Sequence, residues 1–220
     1  MSQPFPAIFI ADSLGLDFLN SVATPVDVCV DWIDDGEGLL AWLDQAQLVP
    51  RATSDGIRDR APPGELDKVA ARVRDLREWF RSFVRRHKGA PLTAATLSEL
   101  DPLNHLLERD EMYARLIARQ DGEDSRLALE SLRRWRSTES LLQPIGEVLA
   151  ILLTQEDFSH IKACEAPACT LLFADHTRGH TRRWCSMEIC GNRAKQAAHR
   201  NRIKEKRPSP PRPVRATENH

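Results

Sequence analysis

Two short cysteine pairs constrain this chain more than any other feature. Cys164 and Cys169 enclose four residues, Cys185 and Cys190 enclose four more, and fifteen residues join the pairs. Four thiols this close admit a disulfide framework or a metal site. The start "MSQPFPAIFIADSLGLDF" has neither the basic region nor the small-residue cleavage site of a secretory signal. The chain is therefore expected in the cytoplasm, whose reducing environment disfavours disulfides. A metal is the better reading: four thiolates complete a tetrahedron around one structural zinc ion and leave no open position for a substrate. Spacing alone also admits an iron–sulfur cluster. A redox thiol is disfavoured because no C-x-x-C is present. His176 and His180 have the chemistry of ligands, but beside four thiols they read as loop residues on a basic surface. Cys29, far away in "VDVCVDW", reads as a small buried hydrophobe.

The residues around the thiols suggest how they are held. "TLLFA", 170–174, predicts a strand, with 182–184 as its return strand in a hairpin. Gly191, directly after Cys190, is expected to let backbone amides turn towards sulfur, and Asn192 to cap a following helix. That helix, within "GNRAKQAAHRNRIKEKR", carries Arg193, Lys195, Arg200, Arg202, Lys204, Lys206 and Arg207 against the single acid Glu205. So polar a helix gains little from packing, and its ordering calls for another reason. A metal fixes the start of such a helix without a large core and lets it present cations to DNA. In this reading Asn192 and Arg193 reach base edges, while Lys195, Arg200, Arg202 and Lys204, with Arg178, Arg182 and Arg183 of the hairpin, hold phosphates.

Charge is distributed to match. Residues 1–175 carry 19 Lys/Arg against 29 Asp/Glu, net -10, whereas 176–220 carry 12 against 3, net +9. An acidic body thus precedes a basic end that seeks a polyanion or docks on the body itself. No apolar run is long enough to cross a membrane.

The body reads as mainly helical. After "AIFI" and "LGLDFLNSV", which suit a strand or two and a short helix, residues 63–88 place Val69, Val73, Leu76, Phe80 and Phe83 on one face. Arg72, Arg74, Arg77, Arg81, Arg85 and Arg86 decorate the same helix, and the simplest expectation is a solvated face paired with the surrounding acidic residues, contact with an anion or nucleic acid being the alternative. Further helices are expected at 38–47, 93–108, 124–142 and 145–155, with Pro144 separating the last two. Asp17 and Asn20 in "LDFLN" are polar groups among apolar ones, for which capping or a satisfied internal hydrogen bond is the simplest reading. Residues 207–220, with four prolines, predict a disordered tail.

"RRWCSMEICGNRAK", 182–195, resembles the signature of the CGNR zinc-finger family, named for the residues found here as Cys190, Gly191, Asn192 and Arg193. The paired cysteines before "LLFAD" and the opening "LGLDFLNSV" are similar to members that begin with a domain called ABATE. The resemblance implies a bacterial stress-induced transcription regulator with a mostly helical first domain and a zinc module that binds DNA. The expected organisation is a helical domain at 1–160, a zinc finger at 161–206 built of a β-hairpin and a basic helix, and a tail at 207–220. A fragment of about 1–160 is expected to fold alone without DNA affinity. Rival readings are RNA binding by the basic module, a protein partner for it, and a small-molecule-binding or enzymatic helical domain. No Gly-rich phosphate loop, nucleophile elbow or H-E-x-x-H pattern supports an enzyme. No heptad is long enough to predict a dimer.

Overall fold

The computed structural model describes residues 6–24, 28–121 and 124–206, the side chains of 121, 124, 198 and 201–206 excepted. The expected tail at 207–220 lies outside the described residues. The fold is mainly α, with three two-stranded antiparallel ribbons among the described residues.

Helix α1 (Leu14–Leu19) lies at the centre of the core, with Leu16, Phe18 and Leu19 buried. Gly15 lets it press against α6 (Gln143–Gln155), because a Cβ there would sit 2.8 Å from the Val148 carbonyl oxygen. Strands β1 (Val22–Ala23) and β2 (Val30–Asp31) form a minimal ribbon. Helix α2 (Gly36–Gln45) follows, its first turn capped by Asp35, whose carboxylate accepts from the Gly38 amide at 2.8 Å. Helix α3 (Arg51–Arg60), which the sequence pattern does not announce, starts directly after Pro50.

Helix α4 (Glu65–His87) realises the expected stripe, with Val69, Ala70, Val73, Phe80, Phe83 and Val84 buried. Arg72, Arg85 and Arg86 are exposed as expected, but Arg77 and Arg81 are buried. Arg77 is 3% exposed and grips Asp31 through two bonds of 2.7 and 2.6 Å. Arg81 is also buried and donates to the Leu19 carbonyl, while Arg74 donates to the carbonyls of Ile33 and Asp34. Arg72 pairs with Glu139 and Arg86 with Glu99. The guanidinium groups satisfy main-chain and carboxylate acceptors of α1, β2 and the following turn, tasks that no periodicity reveals.

Residues 93–108 divide into a 3₁₀ segment, Ala94–Leu100, and α5 (Asp101–Leu107). The larger correction concerns 124–142. Instead of a helix, the chain forms a ten-residue hairpin, β3 (Met112–Asp121) against β4 (Asp124–Arg133), and then a 3₁₀ turn, Thr138–Leu142. Leu, Ala, Glu and Arg favour helices, but here cross-strand pairing overrides propensity. Pro144 lies in the first turn of α6, where its missing N–H removes no helical bond. Cys29 is exposed rather than buried.

Strands β5 (Ile161–Ala163) and β6 (Leu172–Ala174) pair antiparallel, Ile161 opposite Ala174. The hairpin is therefore 161–174, and residues 182–184 are not its return strand. The outer edge of β6 is already occupied: Asn20 bonds both the Leu172 amide (3.0 Å) and its carbonyl (2.8 Å), and the Ala11 carbonyl accepts from Ala174. Phe173, fully buried, lies in the same apolar core as α1 and α4. Asp17, too, is satisfied internally, accepting from the Ile10 and Ala11 amides. No helix among the described residues is long and apolar enough to cross a membrane.

Candidate metal centre and basic helix

The connection between β5 and β6 delivers the first pair of thiols. Cys164 continues the ladder by donating its amide to the Leu171 carbonyl, and a tight turn returns the chain so that the Cys169 amide reaches the Ala166 carbonyl. The second pair spans a π-turn, Met187–Gly191, opened by Ser186, whose hydroxyl accepts from the Ile189 amide. The Ser186 carbonyl accepts from both Cys190 and Gly191, which folds Cys190 back beside Cys185. Ser186, not Asn192, therefore caps the helical run. Asn192 is already helical and begins α7 (Asn192–Lys206). The Gly191 amide is not aimed at sulfur: it goes to the Ser186 carbonyl, and the Met187 side chain lies over the glycine.

The four Sγ atoms lie within 4.8 Å of one another, with 3.7 Å between Cys169 and Cys185 and 3.6 Å between Cys185 and Cys190. Tetrahedral zinc with Zn–S bonds of about 2.3 Å sets the sulfurs about 3.8 Å apart, which these spacings match. They are far longer than a disulfide bond of about 2.05 Å. An iron–sulfur cluster interposes several iron and sulfide atoms and requires a wider cage. The thiols also hold their protons unequally. The bond from Cys185 helps to hold the Cys169 thiol down at about 5, while Cys185 is pushed up by Cys169 and by burial, and burial raises Cys190 to about 12. A divalent ion at the centre removes that mutual repulsion. The chain thus carries one structural zinc site, Cys164, Cys169, Cys185 and Cys190, and with all four thiolates bound the metal has no open position for a substrate.

An internal brace, unforeseen from the sequence, holds the loop between the pairs. Asp175 is fully buried and accepts from Lys162 Nζ at 2.7 Å, from the amide and hydroxyl of Thr177, and from the Arg182 amide. Burial alone would raise its pKa, but these donors hold it well below the usual carboxylate range. Arg182 itself bonds the carbonyls of Trp184 and Ile10 at 3.0 and 3.1 Å, the Cys185 carbonyl and the Asp12 carboxylate, with its guanidinium 4.4 Å above the Phe173 ring. Its expected phosphate contact gives way to this role of tying the module to the body. Arg183 pairs with Glu165 and lies over Trp184, yet stays 60% exposed. Arg178 is exposed. His176 pairs with Glu156, and His180 bonds the Asp175 carbonyl and stacks on His160. Neither histidine joins the thiol cluster.

Along α7, Asn192, Arg193, Lys195 and Arg200 are exposed. Arg202 and Lys204 lie on the same helix, with side chains outside the described residues. A cavity of about 220 Å³ adjoins the thiol cluster, with Cys169, Cys185 and Cys190 on its wall beside Ile8, Arg193 and Arg200.

Comparison with known proteins agrees with this division. None of the curated proteins matches the chain. The CGNR zinc finger matches residues 160–203, and the ABATE domain, described as "Putative stress-induced transcription regulator", matches residues 12–156. With most of its length matched by that domain and the finger directly following it, the chain belongs to the ABATE family of CGNR zinc-finger proteins.

Proposed function

We propose that the protein is a bacterial, cytoplasmic transcription regulator that binds duplex DNA through α7 and acts by recognition rather than catalysis. The observation that carries this reading is a helix fixed at its start by the thiol cage, with Arg193, Lys195 and Arg200 exposed immediately beyond it. Such a helix enters a major groove without a core of its own. Arg193, near the anchored end, suits a base edge, while Lys195, Arg200, Arg202 and Lys204 suit phosphates. Arg178 and Arg183, both exposed, suit further phosphate contacts. The family description supports a regulatory role. A small-molecule effector of the helical domain would complete that role.

The test is selection of duplex DNA from a random pool, followed by anisotropy titrations of the selected site. With about five phosphates neutralised, affinity is expected to fall about 500-fold between 50 and 200 mM salt. Arg193→Ala is expected to erode discrimination between sites by about 1–3 kcal/mol with zinc retained. Unchanged binding by a zinc-loaded Arg193→Ala, Arg200→Ala, Lys204→Ala triple variant, or preferential binding of structured RNA in competition, overturns the reading.

A further inference from the structure

Pairing in the β3–β4 ribbon runs from Met112 opposite Arg133 to Asp121 opposite Asp124. Side chains alternate between its faces, and cross-strand partners share a face. One face therefore carries Met112, Ala114, Leu116, Ala118, Leu127 and Leu129, accompanied by Gln120, Ser125 and Ser131. Leu116 is opposite Leu129, and Leu127 is diagonal to Leu116. These three are 66%, 71% and 78% exposed, and Met112 is 45% exposed. The other face carries Arg115, Arg119, Arg126 and Glu130 together with the less exposed Tyr113, Ile117, Ala128 and Leu132.

The ribbon is clamped only at its base. Arg133 bonds both oxygens of Asp110, at 2.7 and 2.8 Å, and reaches Glu147. Beyond that base its principal packing is strand on strand. A two-stranded ribbon without a covering layer is marginal in water, and an uncovered cluster of leucines marks an interaction site.

We infer that this face is the surface through which two copies of the chain dimerise, ribbon against ribbon. Three observations favour a second copy as the occupant. The face carries one charge, Arg133, and its guanidinium is occupied by Asp110 and Glu147, so like meets like without repulsion. A charged partner finds nothing there to recognise, and the tip sequence Asp121-Gly122-Glu123-Asp124 repels nucleic acid. Ten-residue strands make a face about 34 Å long, and pairing two such faces buries on the order of 1,000 Å², the lower bound for a specific interface. The resulting two-layer, four-stranded unit covers the exposed leucines of both copies.

Sedimentation equilibrium of the full-length, zinc-loaded chain, without DNA, tests the inference, so its failure is independent of the DNA-binding reading. The expected result is a reversible monomer–dimer equilibrium with a micromolar dissociation constant. A Leu127→Glu, Leu129→Glu variant is expected to raise that constant at least tenfold, with zinc content and far-ultraviolet circular dichroism unchanged, since both side chains are exposed. A chain that stays monomeric at tens of micromolar, an association the variant does not weaken, or open-ended assembly through the strand edges each overturns it.

Discussion

Helices α4 and α7 are both rich in arginine, and the chain uses them in opposite ways. In α4 the guanidinium groups of Arg74, Arg77 and Arg81 are absorbed by acceptors of the body, and an apolar stripe supplies the driving force for burial. In α7 there is no such stripe, and Arg193, Lys195 and Arg200 remain at the surface. A count of basic residues thus identifies no polyanion site. What separates the two helices is whether an apolar face carries the cations into a core, where buried charge must find partners. The same distinction separates the regions around them, one held by packed side chains and the other by a metal.

Removing the metal should break the comparison most severely. Zinc binding supplies about 10 kcal/mol or more to modules of this kind, so chelation or Cys185→Ser is expected to release the ion and unfold residues 164–191. Loss of amide-exchange protection there, with α4 still protected, is the checking measurement. Because Leu172 and Phe173 belong to the common core, the melting temperature of the body is expected to fall as well. A fragment ending near residue 160 meets the same difficulty, for it leaves the amide of Asn20 without its Leu172 partner and opens the core beside α1. It is expected to be less stable than a fragment extended to residue 176 by several kcal/mol, on the order of two large core truncations, as read by urea denaturation.

Next in size is the contrast between the arginines themselves. Arg77→Ala removes the guanidinium from Asp31 and Ser21 and is expected to cost about 3 kcal/mol of stability, with DNA affinity unchanged at temperatures where the protein is folded. Arg200→Ala is expected to change stability by less than about 0.5 kcal/mol while flattening the salt dependence of DNA binding by about one unit. If the two variants exchange these phenotypes, the assignment of roles to α4 and α7 fails.

Acid sharpens the same contrast with opposite signs. Burial is the largest influence on Asp17 and pushes it up to about 6 from 3.8, against the bonds from Ala11 and Ile10. Between these values the folded chain holds the proton more tightly than the unfolded one, so this site loses stability as pH rises from about 4 to 6, on the order of 3 kcal/mol in all. Asp17→Asn is expected to remove that slope in pH-dependent denaturation. Asp175 behaves in reverse: its folded pKa is depressed, so its contribution is present above the ordinary carboxylate range and lost as pH falls below it. Acid is therefore expected to loosen the loop between the cysteine pairs before it loosens α1, which exchange measured along an acid titration can distinguish.

The stripe of α4 and the thiol cage were legible because each is written in local spacing: apolar residues at helical period, and cysteines at fixed intervals in a stretch short enough to close on one ion. The β3–β4 ribbon was legible in principle. Met112, Ala114, Leu116 and Ala118 alternate before an Asp-Gly step, and Leu127 and Leu129 alternate after it. The helix-favouring composition of the second strand masked that signal.

The sequence by itself determined the four zinc ligands, the basic helix that follows them and the helical character of the body. Only the tertiary structure decided what the polar residues do: Arg77 reaching Asp31, Arg182 tying the zinc loop to the body, Asn20 closing the edge of β6, and Asp175 gathering Lys162, Thr177 and Arg182. The reason is physical. Period and spacing follow from the geometry of one element and survive in any context, whereas a buried hydrogen bond is defined by its partner, and partners as far apart as Asn20 and Leu172 meet only once the whole chain has closed.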